Sequence, residues 1–148
     1  MKKIGDYRRT MGVTKSAQLS DLKTIYRGFM KEYHPDKFAN DEAAKLEAEL
    51  KSQEIIEAYA FLVSIDPETQ EQFKEVYIQT TTTAVMQDFD YQNSVLKVSF
   101  TDRSVYEYYD VPKNTYVKMV NATSPGRFAR RSIFNSFPYR NVQKASEG

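Results

Sequence analysis

One histidine, and no cysteine, stands in these 148 residues. His34 lies two positions before Asp36, with Pro35 between them. An imidazole and a carboxylate are the usual groups of acid–base catalysis. Such a pair works in a pocket, beside a nucleophile or a metal. Pro35 lacks a backbone N–H and disfavours helical geometry at His34, so the tripeptide is expected to sit on an exposed loop. A contact role suits that setting better than a catalytic one, and a plain helix-terminating turn is the simplest reading of the three residues alone. The absence of cysteine excludes disulfides and thiolate zinc sites, and one histidine excludes a histidine-rich metal site. There is no Gly-rich phosphate loop and no nucleophile elbow, so no metal, no cofactor and no catalytic residue is expected.

A second set lies near the C-terminus. Arg127, Arg130 and Arg131 fall at i, i+3 and i+4, followed by Arg140 and Lys144. Six tyrosines and five phenylalanines, among them Tyr106 and Tyr108, come after Tyr77. Basic residues mixed with aromatics can hold single-stranded nucleic acid, by neutralising phosphates and stacking bases. The plainer alternative makes Phe100, Tyr106, Phe128 and Tyr139 core residues and the arginines a solubilising face. The overall charge of +1 carries no polyanion signature.

The elements that must present these groups differ between the two halves. Leu22, Ile25, Tyr26, Phe29, Met30 and Tyr33 fall at offsets 0, 3, 4, 7, 8 and 11, one apolar stripe on a helix that Pro35 ends. Lys23, Arg27 and Lys31 lie at i, i+4 and i+8 on another face of it. A second helix is expected from about Asp41 to Val63, burying Ala44, Ala48, Ile55, Ala58 and Leu62. Leu46 and Leu50 fall opposite that face, either exposed or docking the second half. Asp66-Pro67-Glu68 reads as a helix start, with Phe73, Val76 and Tyr77 on one side of the short helix. Thr80-Thr81-Thr82-Thr83 is β-branched and reads as a linker or the start of a strand. Composition changes near Tyr77. Residues 1–77 hold 12 Lys/Arg against 14 Asp/Glu, and the remainder 9 against 6. Two small domains, 1–77 and 78–148, are expected.

Helix, His34-Pro35-Asp36 loop and helix together resemble the J domain of DnaJ-type co-chaperones. The likeness extends to Asp6-Tyr7, Met11-Gly12-Val13, Tyr26-Arg27, Tyr33, Lys37, Glu57-Ala58-Tyr59 and Leu62. Arg8, Thr10 and Ser52 depart from it, standing where that family commonly has apolar or aromatic side chains. The stretch from Asp36 to Tyr59 is longer than usual by about one turn of 3.6 residues. Neither the zinc-binding module nor the Gly/Phe-rich linker common in DnaJ proteins is present. The resemblance implies an all-α helical hairpin with flanking helices that binds a DnaK-type chaperone and stimulates its ATP hydrolysis. It implies a regulator of a partner ATPase rather than an enzyme. Asp36 would engage a basic group on the partner, and His34 and Pro35 would fix the loop's shape. Lys23, Arg27 and Lys31 would steer the domain onto an acidic surface. Glu32 interrupts that stripe.

In the second half, Leu96, Val98 and Phe100 alternate with Lys97 and Ser99. A polar turn at residues 101–104 leads to a strand over Val105 to Val111, with Tyr106 and Tyr108 on one face and Val105, Glu107 and Tyr109 on the other. An earlier strand holds Asp88 to Tyr91 and turns at Gln92-Asn93-Ser94. Helices are expected from Pro112 to about Ala122 and from about Pro125 to Ile133. The sum is α+β, about three antiparallel strands and then two helices. Phe89-Asp90, Leu96 to Phe100, Tyr106-Glu107-Tyr108, Val111-Pro112, Ala122, Ser124, Gly126, Phe128 and Tyr139 resemble, in order, the KTSC domain of some lysyl-tRNA synthetase C-termini, for which RNA binding is the usual suggestion.

The expected protein is a cytoplasmic, bacterial, monomeric co-chaperone whose second domain delivers an unidentified client or locates the complex. The alternative is a nucleic-acid or translation-associated module, its J domain recruiting a chaperone or vestigial. No stretch is long and apolar enough to span a membrane, and the basic Met1-Lys2-Lys3 has no apolar run behind it to make a secretory signal.

Overall fold

The computed structural model describes residues 3–145; Met1 and Lys2 of the basic start, and the side chain of Pro35, lie outside the described part. The chain divides into two compact units, one of residues Ile4–Thr69 and one beginning at Gln70. The division precedes the composition change at Tyr77.

The first unit is helical. Helix α1 (Ile4–Met11) ends on Gly12, whose φ of 68° only glycine adopts without strain. The Gly12 N–H donates to the Arg9 carbonyl at 3.1 Å and Val13 N–H to Arg8 at 3.0 Å. That double bond pattern caps the helix and turns the chain towards α2 (Leu19–Tyr33). The Gln18 N–H donates to Asp21 at 2.9 Å and fixes the start of α2. Leu22 is buried, and Ile25, Tyr26, Phe29, Met30 and Tyr33 are half-buried along one side, as the spacing predicts. A single 3-10 turn (Pro35–Phe38) leads into α3 (Glu42–Ile65), which Asp41 caps by accepting from the Ala44 N–H at 3.1 Å. Both α1 and α2 pack on α3. The buried face of α3 is Ala48, Ser52, Ile55, Ala58, Phe61, Leu62 and Ile65. Tyr7 stacks on Phe61 at 4.2 Å and Tyr26 on Tyr59 at 4.0 Å. Leu46 and Leu50 are exposed, at 58% and 56%.

Asp66 starts α4 (Pro67–Glu71), accepting from the Glu68 N–H at 2.9 Å. A second helix, α5 (Lys74–Thr83), follows at once and carries Tyr77 into the core of the second unit. Two expectations are corrected here. Phe73 and Val76 are each 56% exposed, on a different side from Tyr77. The four threonines neither link nor begin a strand, because they continue α5. Thr81, Thr82 and Thr83 donate their hydroxyls back to the carbonyls of Tyr77, Ile78 and Gln79, which satisfies those groups within the helix. Thr80 instead reaches Asp102 at 2.8 Å.

The second unit is an antiparallel four-stranded sheet in the order β1-β2-β3-β4, with α6 (Lys113–Val120) and α7 (Pro125–Ser132) inserted between β3 and β4. Strands β1 (Met86–Gln92) and β2 (Val95–Phe100) join through Asn93 and Ser94, both at positive φ, the primed turn that matches strand twist. Strand β3 (Val105–Tyr108) is shorter than expected, since Asp110 at φ 58° breaks the run before Val111. Strand β4 (Tyr139–Gln143) was not legible as a strand and adds a fourth to the expected three. Leu96, Val98, Phe100, Tyr106, Tyr108, Met119, Ala129, Ile133 and Phe134 form the core between the sheet and its helices. The other sheet face carries charge: Asp90 pairs with Lys97, Lys97 with Glu107, and Glu107 with Arg140, an alternating row across all four strands.

Candidate functional site

Two places collect the chemistry-bearing residues, one in each unit. In the first, α2 stops at Tyr33 and His34 turns into extended geometry, φ −63° and ψ 128°. Its ring then works locally: Nδ1 accepts from the Asp36 N–H at 3.2 Å. A neutral imidazole that accepts at Nδ1 carries its proton on Nε2. The His34 carbonyl accepts from the Lys37 N–H at 3.0 Å, closing the 3-10 turn. Both His34 bonds therefore hold the shape of the loop. The Asp36 carboxylate is 90% exposed, with one oxygen 3.5 Å from His34 Nδ1. It projects to solvent from a loop backbone that these two bonds hold. With His34 half-open and Asp36 open to solvent, a directional contact with a cation on another molecule is what this arrangement can make.

Lys23, Arg27 and Lys31 are all exposed on α2, the helix that ends in the loop. Glu32 is exposed beside them. Tyr26 is held in the stack on Tyr59, a core role rather than a surface one. Ser52 is the residue whose role the sequence did not disclose. It is only 5% exposed, and its hydroxyl donates to the Tyr33 carbonyl at 2.9 Å, one residue before His34. Its one sequence signal is a small polar side chain on an otherwise apolar helix face.

In the second unit the structure separates the residues considered for nucleic acid. Tyr106 and Tyr108 are 4% and 0% exposed and offer no ring face to a base. The Tyr77 hydroxyl donates to the Phe134 carbonyl and lies 2.9 Å from the Tyr108 hydroxyl. Its ring stacks on Tyr139 at 3.9 Å and meets Tyr106 edge-on at 5.2 Å. Burial pushes the hydroxyls of Tyr77 and Tyr108 well above the ordinary tyrosine range, and that of Tyr106 up to about 12. Burial also works against the charge of Asp102, but hydrogen bonds from Ser104 and Thr80 outweigh it and hold that carboxyl below its usual range. Arg127, Arg130 and Arg131 are exposed on α7, where Arg130 Nε donates to the Thr81 carbonyl at 3.1 Å. Arg140 is not with them. It lies on β4, in register with Glu107 on the charged face of the sheet.

The chain is similar to several known proteins over its first half. It is 50% identical over 58 residues to the chaperone protein DnaJ of Fusobacterium nucleatum, covering 38% of this chain and 15% of the relative. It is 47% identical over 70 residues to that of Deinococcus proteolyticus, covering 47% and 21%, and 41% identical over 70 residues to that of Listeria monocytogenes, covering 47% and 17%. The chain thus spans about a fifth or less of the length of these curated relatives. Residues 6–74 match the DnaJ domain family, which covers the loop, α2 and α3, and residues 83–137 match the KTSC domain family, which covers the sheet as far as β3 and both following helices. The chain therefore carries a DnaJ domain, with His34-Pro35-Asp36 at its exposed loop, followed by a KTSC domain.

Proposed function

We propose that this protein is a co-chaperone that binds a DnaK-type chaperone and accelerates its ATP hydrolysis. The observation that carries the reading is the exposed Asp36 carboxylate, carried on a loop backbone that two His34 hydrogen bonds hold, at the end of a helix with Lys23, Arg27 and Lys31 on its surface. A loop backbone held in this way loses little freedom when its carboxylate meets a basic group, and the three cations raise the encounter rate with an acidic surface. The chain itself performs no chemistry on ATP in this reading. Pro35 contributes through its backbone, which cannot extend α2. The second unit delivers a client or places the complex, and the protein works as a monomer in the cytoplasm.

The test is single-turnover ATP hydrolysis by a DnaK-type chaperone, with wild-type protein, His34→Gln and Asp36→Asn. Stimulation by the wild type that disappears in both variants is the expected result. Charge reversal at Lys23 and Arg27 should raise the concentration needed for half-maximal stimulation, more so at low salt. Equal stimulation by wild type and Asp36→Asn would sink the reading.

A further inference from the structure

The end of α2 leaves its last carbonyls short of donors, and the loop makes the shortage worse. A continuing helix would cap the Lys31, Glu32 and Tyr33 carbonyls with the N–H groups of residues 35, 36 and 37. Pro35 has none. The Asp36 N–H is taken by the His34 ring at 3.2 Å, and the Lys37 N–H by the His34 carbonyl at 3.0 Å. Lys31 and Glu32 are exposed, where water can serve their carbonyls, whereas Tyr33 is half-buried. Its carbonyl is served from the neighbouring helix instead, by the Ser52 hydroxyl at 2.9 Å. That carbonyl belongs to the peptide group joining Tyr33 to His34. Rotation of this peptide plane is coupled to φ of His34, and so to the direction in which the loop leaves the helix.

We propose that Ser52 is a positioning residue for the His34-Pro35-Asp36 loop. It ties the peptide entering the loop to α3, a helix of 24 residues, and so fixes Asp36 relative to the basic face of α2. The apolar or aromatic residue usual at this place in J domains would fill space but could not donate. In this chain a hydrogen bond takes over part of what packing would do. The bond presets the loop before any partner arrives. Losing it leaves a half-buried acceptor unserved and makes the partner order the loop on binding. The proposal rests on the co-chaperone reading for its functional consequence, but not for its structural one.

The experiment uses the full chain as wild type, Ser52→Ala and Ser52→Thr. Alanine removes the donor without disfavouring the helix, and threonine keeps a hydroxyl. Amide hydrogen exchange at Lys37 and single-turnover stimulation across a concentration series are both read. Ser52→Ala is expected to speed Lys37 exchange and to raise the half-saturating concentration about fivefold, with the plateau rate unchanged. Ser52→Thr is expected to return both towards wild type. A merely structural loss would lower the melting temperature while leaving the half-saturating concentration of the folded protein where it was. Wild-type exchange at Lys37 in Ser52→Ala overturns the proposal, as does an unchanged half-saturating concentration. If the wild type itself stimulates nothing, the co-chaperone reading falls, and Lys37 exchange alone still decides whether Ser52 holds the loop.

Discussion

Tyr77→Phe and Tyr108→Phe remove one oxygen each from the same buried pair, yet they should differ several-fold in cost. Tyr77 has a single hydroxyl proton, and it goes to the Phe134 carbonyl. The bond between the two tyrosines must then run from Tyr108 to Tyr77. Tyr77→Phe breaks both bonds and leaves two groups unserved, the Phe134 carbonyl and a Tyr108 hydroxyl with 0% exposure. At about 1–3 kcal/mol per orphaned buried group, the loss is roughly 2–6 kcal/mol. Tyr108→Phe breaks one bond and leaves Tyr77 still donating, a loss of about 1 kcal/mol. A domain of this size loses about 4–8 °C per kcal/mol, so Tyr77→Phe should lower its melting temperature by at least ~8 °C. The assay is urea unfolding followed through amide resonances of Leu96 to Phe100, which report the second unit alone. The double variant removes the orphaned Tyr108 hydroxyl and should be no less stable than Tyr77→Phe. Equal losses for the two single variants, or a double variant at the sum of both, would refute this order of donors.

Alkali should act on the same cluster. Unfolded tyrosines release their protons near pH 10, while burial makes Tyr77 and Tyr108 hold theirs to higher pH. Above pH 10 the folded state therefore binds more protons than the unfolded one. The contribution is whole below pH 10 and should fall by about 3 kcal/mol per pH unit above it for these two groups, until they ionise. Melts of the second unit from pH 9 to 11.5 check this, and a flat profile would contradict it. Lys97→Glu should place three acids side by side with Asp90 and Glu107 and destabilise the sheet by about 1–2 kcal/mol, relieved by salt. Denaturation at low and high ionic strength reads that effect. Leu46→Gln with Leu50→Gln removes only exposed apolar surface and should change the stability of the first unit by less than about 0.5 kcal/mol in a urea titration.

Much of the first unit was legible because its signals are local. The stripe from Leu22 to Tyr33 and the α3 face through Ala48, Ile55, Ala58 and Leu62 follow from helical period alone. Gly12 and Pro35 mark their own backbone geometry. Ser52 was readable as an oddity but not as a donor, since its acceptor lies 19 residues away and only becomes available because the loop spends its own N–H groups. The threonine run misled in the opposite direction. β-branching argues against a helix, but the hydroxyl bonds within α5 and the burial of Tyr77 outweigh that preference. Phe73 and Val76 were grouped with Tyr77 on the assumption of one helix. Phe73 instead caps the start of α5, outside its regular turns, and Val76, next to Tyr77, lies about 100° around the helix from it.

The consequence reaches furthest at Arg140. In sequence it closes a run of arginines that begins at Arg127, and the run invites a single basic patch. Strand β4 reads Tyr-Arg-Asn-Val-Gln, with no apolar alternation of its own, and its partner β3 lies more than thirty residues earlier and is reached only after two helices. Once β4 is placed, the alternation of side chains decides the matter. Tyr139 packs against Tyr77 and Tyr108 on the helix-covered face, so Arg140 must point to the other. The α7 arginines sit on a helix whose Ala129 is buried in that covered core. A strand of nucleic acid following α7 would have to wrap the β4 edge to reach Arg140. There it would meet Glu107, the register partner of Arg140. The positive excess of this half is thus divided between two faces of the sheet, and on one of them it alternates with carboxylates. An extended polyanion needs a continuous track of cations, whereas a fixed row of alternating charge suits a partner presenting the opposite order. The sheet topology therefore counts against one continuous basic patch running from Arg127 to Arg140.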